Sequence, residues 1–464
     1  MATGETAVDV IRCYPLRCPA RYAGTAESLA GDLSTSNCTT RHRQPITETD
    51  SIMYEDFASK LAVTMWEDFD ETPRRADGPP AKITDLDTVV VDGNFPWTIV
   101  TVETSDGVTG VGEAYPSPGV HEIITDYLRP ILVGENPTDV ERLYNLMRGS
   151  LSGRGSQEGV GTIAISGVEL ALWDAAGKLL DQPVYQLLGG KMREEVAVYA
   201  DCHAGEAMVG SAEEGQQEST YQPEAYAQAA RAAVDDGFDI VKFDLDVPSG
   251  REIDTLSRHF DPPEIEHKRR VVKAVTDEIG HDAEVAVDLH WNFSPETAER
   301  LCRAIEPYDL AWIEDPIPPE NIDAMRELKR RVDVTLLTGE NCYGRHGFRD
   351  LIEQQAVDFL APDIPKTGGI AETKKIAEMA EAYYQALLPH NIGSPVATAA
   401  TVHVGATVPN FVALEYHARE VPWWDDLLAR ETPFIQDGRI QVPDAPGLGI
   451  ELDWDAVEDH RKGE

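Results

Sequence analysis

From Lys82 onward apolar and polar positions follow two rhythms in turn. ITDLDTVVV, then TIVTVETSDGVTGVGEAY, alternates as strands do, and Ser105-Asp106-Gly107 is a turn sequence, so the pattern predicts antiparallel strands. From about 119 to 190 the apolar residues fall at helical spacing, most clearly in TIAISGVELALWDAAGKLL, and Leu188-Gly189-Gly190 closes the stretch. Residues 81–193 are therefore expected to form an α+β capping domain. After Arg193 short apolar runs recur, each followed by a helical segment: VAVYAD, DIVKFDLD, EVAVDLH, LAWIEDP, TLLTGEN, FLAPDIPKTGG, ALLPHN and FVALEY. Eight buried strands alternating with helices pair in parallel, and their similar spacing favours closure into an α/β barrel of (β/α)8 type over 194–417. Residues 418–464 are irregular and Pro-rich, and are expected to return over the cap.

Composition narrows the class. The 464 residues carry 40 Lys+Arg against 82 Asp+Glu, a net charge of −42, and 42% are hydrophobic, enough for a large core. The acid is spread along the chain, and only 12 of the basic residues are Lys. This resembles the surface of proteins from salt-rich cytoplasm, where screening suppresses self-repulsion. So negative a surface argues against nucleic acid and anionic membrane as partners. With no long apolar run and no secretory leader pattern, a cytoplasmic protein is expected. Residues 1–52 stand apart, with six acids, five Arg and three of the six cysteines (Cys13, Cys18, Cys38). Residues 1–80 are read as an extension, partly disordered or mis-started, with Met53 a candidate start; Cys202, Cys302 and Cys342 are read as reduced thiols.

The chemistry sits where strands end. Asp288, Glu314 and Glu340 terminate three consecutive runs, and on a barrel neighbouring strand ends converge. Crowded carboxylates oppose one another's ionisation unless a cation intervenes, and oxygen-only ligation suits Mg²⁺. His390 ends the seventh run and Asp363 the sixth, so the carboxylate can orient the imidazole as a base. His290 lies two residues after Asp288, and period-two alternation puts both on one inward face, where the imidazole can act as an acid. Lys242 and Asp244 also share a face, either as a salt bridge at the barrel mouth or as a cation for an anionic substrate restrained by the Asp. Glu415 ends the eighth run beside the reacting oxygens. His403 and His417 are read as packed residues.

In these residues the chain resembles the enolase superfamily, in its mandelate racemase-like branch, over most of 82–464. The resemblance implies a modified barrel, (β/α)7β, with a capping domain that supplies specificity loops. It implies Mg²⁺ ligation by Asp288, Glu314 and Glu340, a His390–Asp363 dyad, Glu415 as the eighth-strand Glu, and a homo-oligomer. Racemases of the branch carry Lys-x-Lys on the second strand; here Asp244 takes the second position, leaving His390 as the evident base. Asp288-Leu289-His290 is similar to the Asp-x-His of sugar-acid dehydratases, and VKFDLD is similar to archaeal aldonate dehydratases. The implied reaction is Mg²⁺-dependent dehydration of an aldonic acid, a small-molecule sugar acid, to its 2-keto-3-deoxy acid. His390 would take the C2 proton, His290 protonate the departing C3 hydroxyl, and Lys242, Asp244, His290, His390 and Glu415 contact substrate. D-Gluconate is the favoured substrate, with D-galactonate, xylonate and arabinonate next; loops around Tyr115–His121 and Arg148–Glu158 would choose among them. The competing readings are a hydroxy-acid racemase or epimerase, and a sugar-acid-binding protein without turnover.

Overall fold

The computed structural model describes residues 81–202, 222–246, 249 and 257–463. The expectations for 1–80, Met53 and the three early cysteines lie outside the described residues. Strands β1 (Ile83–Asp92), β2 (Pro96–Thr104) and β3 (Thr109–Ala114) form an antiparallel sheet in that order. The β2–β3 reversal falls on Ser105-Asp106-Gly107, with Gly107 at φ 76°, a conformation that favours glycine. Helices α1 (Val140–Ser150) and α2 (Val160–Leu180) follow. α2 is apolar on nearly every side because it is covered on every side, by the sheet and α1 and by the barrel turn Ile364–Thr367.

The barrel strands are β4 (Glu195–Asp201), β5 (Ile240–Asp244), β6 (Glu284–Asp288), β7 (Ile313–Glu314), β8 (Leu336–Thr338), β9 (Phe359–Leu360), β10 (Ala386–Leu387) and β11 (Leu414–Tyr416). Each pairs in parallel with the next from β4 to β10, β11 pairs with β4, and a bridge from Leu387 to Phe411 closes the ring. All eight apolar runs of the sequence thus become strands of one barrel. Helices α3 (Pro223–Asp235), α4 (Pro262–Ile279), α5 (Pro295–Ile305), α6 (Ile322–Arg331), α7 (Gly344–Glu353), α8 (Ile370–Glu381) and α9 (Pro395–Thr407) connect them. Three of these starts are written locally: Asp261, Ser294 and Ser394 accept from backbone N–H groups ahead of Pro262, Pro295 and Pro395. After β11 the chain makes two short 3₁₀ turns, then β12 (Arg439–Gln441) antiparallel to β4, then α10 (Trp454–Asp459). The architecture is (β/α)7β with an α+β cap.

Inside the barrel Tyr199, Trp312 and Leu337 interleave with Ala286, Ala361 and Ala413, large against small, so the interior is filled rather than open. Two buried cap carboxylates fasten the cap to barrel helices. Glu113 accepts from the N–H and hydroxyl of Ser394 and from Ala397 N at the start of α9, and Glu169 accepts from Ile370 and Ala371 N at the start of α8. Each puts negative charge where a helix presents unpaired N–H groups. In the C-terminal segment Leu448 N donates to Asp174 (2.8 Å) and Lys462 N to Val90 O (2.8 Å). Among the described residues no helix is long and apolar enough to cross a membrane, and Cys202, Cys302 and Cys342 are free.

Several strands are shorter than the apolar runs that announced them. β7, β9 and β10 pair over two residues each. The chain leaves the ladder where the polar ends begin, and His290 (φ 41°), Trp291 (φ 50°) and Asp315 (φ 43°) adopt left-handed backbone there. Non-glycine residues resist that conformation, and three of the nine that adopt it among the described residues stand here beside the carboxylates.

Candidate active site

Asp288, Glu314 and Glu340 end β6, β7 and the run containing β8, all three buried, and one oxygen from each lies within 4.8 Å of the others. Among the described residues Glu314 Oε1 is buried without a hydrogen-bond partner. Burial pushes the Glu314 carboxyl well up, Lys242 draws it back, and Asp288 raises it again. An all-oxygen set with an unanswered buried lone pair fits a hard divalent cation.

Lys242 on β5 reaches into this set. Its ammonium donates to Asp288 Oδ2 (3.0 Å) and Glu314 Oε2 (3.0 Å) and ion-pairs with Glu415 Oε1 (2.6 Å) and Asp201 Oδ2 (3.8 Å). Burial works against the charge, but Glu314, Glu415 and Asp288 outweigh it and hold the lysine well above its ordinary range. The sequence paired Lys242 with Asp244; among the described residues its ion pairs are instead with these four carboxylates. Asp244 Oδ1 instead lies 3.9 Å from His290 Nε2.

The two histidines stand on opposite flanks. His390, buried after β10, donates from Nδ1 to Asp363 Oδ2 at 2.7 Å, and its Nε2 lies 3.5 Å from Glu340 Oε2. Burial alone would lower its pKa, but Glu340, Glu415 and the Asp363 hydrogen bond raise it to about 10. His290 presents Nε2 to the other end of the triad, 3.9 Å from Asp288 Oδ2. It gets there by the left-handed turn after β6 rather than by strand alternation, with its backbone N–H on Asp288 Oδ1 at 2.8 Å. Its Nδ1 meets Asp246 Oδ1 at 3.0 Å, and Asn292 donates to the other Asp246 oxygen at 2.5 Å. Burial opposes protonation of His290, and the carboxylates of Asp288, Asp244 and Asp246 overcome it.

Asp246 was not among the sequence candidates, although it is the next same-face position after Lys242 and Asp244 in VKFDLD. Asp201, which ends the first run, faces both Lys242 and His417 (Nε2, 3.6 Å), and His417 meets the cap through Asn94 (2.9 Å). Glu415 accepts from Asn391 N at 2.8 Å, tying the eighth strand to the residue after His390. From the cap, Tyr115 brings its ring to 6.3 Å from that of His390. Arg148, Ser156 and Gln157 line a cavity of about 400 Å³ together with Tyr343 and His346.

This constellation has counterparts. Residues 83–189 match the N-terminal domain of the mandelate racemase/muconate lactonizing enzyme family, and residues 224–456 match its enolase C-terminal domain-like partner. The chain belongs to the mandelate racemase/muconate lactonizing enzyme family. A member from Haloferax volcanii, D-xylonate dehydratase, is 47% identical over 395 residues, covering 85% of this chain and 92% of that protein. A D-galactonate dehydratase family member from Streptomyces bingchenggensis is 31% identical, covering 81% and 93%. Among solved structures of the family, a mandelate racemase/muconate lactonizing enzyme-like protein from Rubrobacter xylanophilus superposes with a TM-score of 0.78 at 42% identity, covering 82% of this chain and 98% of that one.

Proposed function

We propose that the protein dehydrates a sugar acid to its 2-keto-3-deoxy acid, with Mg²⁺ on Asp288, Glu314 and Glu340. One observation carries the reading: two imidazoles face the triad from opposite ends, each with a carboxylate on its far nitrogen, Asp363 for His390 and Asp246 for His290. Bound Mg²⁺ supplies Lewis-acid stabilisation of the negative charge that collects on the substrate carboxylate. Glu340, the largest of the charges that raise the His390 pKa, would have its charge taken up by the bound cation, which would free His390 Nε2 to take the C2 proton while Asp363 holds the ring and the resulting imidazolium. His290, kept protonated by three carboxylates, gives its Nε2 proton to the C3 hydroxyl; the C3–O bond breaks, water leaves, and the enol tautomerises to the ketone. Lys242 keeps the ligand carboxylates from repelling one another, and Glu415 holds the strand end beside His390.

D-Xylonate is the substrate of choice, supported by the 47% identity to the Haloferax volcanii enzyme named for it. This moves the five-carbon acid ahead of D-gluconate, the acid favoured from sequence. A racemase is disfavoured because Asp244, where a second base would stand, faces His290. The test is a panel of D-xylonate, D-gluconate, D-galactonate and D-arabinonate with Mg²⁺ in molar KCl, scored for 2-keto-3-deoxy product. EDTA is expected to abolish product, and His290→Asn to exchange the C2 proton in D₂O while losing water elimination by at least ~100-fold. Full turnover after chelation, or dehydration by His290→Asn at the parent rate, overturns the reading.

A further inference from the structure

Two lysines are buried at this barrel mouth, and they are treated in opposite ways. Lys242 lies within 4.0 Å of four carboxylates. Lys366, on the turn Ile364–Thr367 that follows Asp363, is 5% exposed, and its one hydrogen-bond partner among the described residues is the neutral amide oxygen of Asn341 at 2.9 Å. Among the described residues, two of its three N–H donors are unanswered. Two ring faces also meet it: Tyr115 from the cap at 4.4 Å to the centroid and Tyr343 at 6.0 Å. Burying an ammonium without a counter-charge is expensive, and rings return only part of what water supplied.

The position is not peripheral. Asn341 follows the proposed metal ligand Glu340, Tyr115 packs beside His390, and Tyr115 N donates to Pro365 O (3.3 Å), which docks the cap on the lysine's own turn. Tyr343 also lines the 400 Å³ cavity shared with Arg148. Lys366 is thus one contact from the triad, through Asn341 beside Glu340, and one contact from the cavity, through Tyr343.

We infer that Lys366 is a substrate contact that reads the polyol tail, its two open N–H groups donating to hydroxyl oxygens beyond C3 while Asn341 and the two tyrosine rings fix its aim. The inference rests on the sugar-acid reading of the site and names what recognises the tail. Lys242 cannot take this part, because carboxylates already surround it.

Calorimetry decides it, with D-xylonate and Mg²⁺ as the probe and His390→Asn as the background that prevents turnover. Adding Lys366→Met is expected to raise Kd at least about tenfold, the loss of one to two charge-assisted hydrogen bonds. With His390 intact, Lys366→Met should raise KM by a similar factor and lower kcat less, and Lys366→Arg should recover most of the affinity. Inhibition by D-glycerate, which has no tail, should be unchanged. An unaltered Kd for D-xylonate in a variant that melts like its parent overturns the inference, and so does equal weakening of D-glycerate, which would place the lysine at the carboxylate end. Should Met lower the melting temperature too far, Lys366→Gln carries the same expectation. A wild type that binds D-xylonate but forms no keto acid refutes the dehydratase reading and leaves this comparison intact.

Discussion

Asp246 is a positioning residue for His290: an ionised carboxylate on Nδ1 fixes which ring nitrogen faces the triad. Asp246→Asn should slow dehydration of D-xylonate by about 10- to 100-fold while C2 proton exchange, which depends on His390, persists. Loss of both together would show that the substitution disturbs the whole mouth. His403 is the opposite kind of histidine. Its Nδ1 accepts from Tyr185 N at 3.1 Å, and burial lowers its pKa from 6.5 to about 4. Between those values the unfolded chain takes up a proton that the folded chain refuses, so this contribution is complete above about 6.5 and is lost as pH falls through 4. The total is on the order of 3 kcal/mol. Urea unfolding of wild type and His403→Gln across pH 4–7 should show that slope only in the wild type.

At the scale of elements, the cap depends on how closely β3 approaches α2. A Cβ on Gly112 would sit 2.3 Å from Gly167 O and 2.5 Å from Ala171 N, both helix backbone that cannot swing aside. Gly112→Ala should cost about 2 kcal/mol or more in urea unfolding, at the upper part of the range for overpacking. Gly107→Ala, in open space at φ 76°, should cost about 1 kcal/mol from backbone conformation alone. Equal costs would mean that the contact between strand and helix does not decide the cap's stability. The strands and helices themselves were legible, since apolar runs, caps and turn residues are local signals. Strand lengths were not: β9 and β10 run into Pro362 and Pro389, which have no N–H to give a ladder, and β7 runs into Asp315 at φ 43°, so pairing stops before the polar ends.

The whole molecule carries −42, and many of its basic side chains are already paired at the surface, as Arg269 with Glu266 and Arg331 with Glu327 are. The remaining acid repels itself over about 10 Å at 0.1 M salt and about 3 Å at 1 M. The melting temperature should therefore rise between 0.1 and 2 M KCl, and a flat profile would mean that the surface charge is not adapted to salt. Alternation and spacing alone determined the barrel, its cap and the three acids at neighbouring strand ends, because the period of a strand dictates which residues face inward and parallel closure dictates where they meet. They did not determine partners. Which carboxylates enclose Lys242, how His290 reaches Asp288 and Asp246, and why Lys366 meets two rings and an amide rather than a counter-ion among the described residues depend on positive-φ turns and on side chains arriving from several strands and from the cap. Only the closed three-dimensional arrangement brings those atoms within a few ångströms of one another.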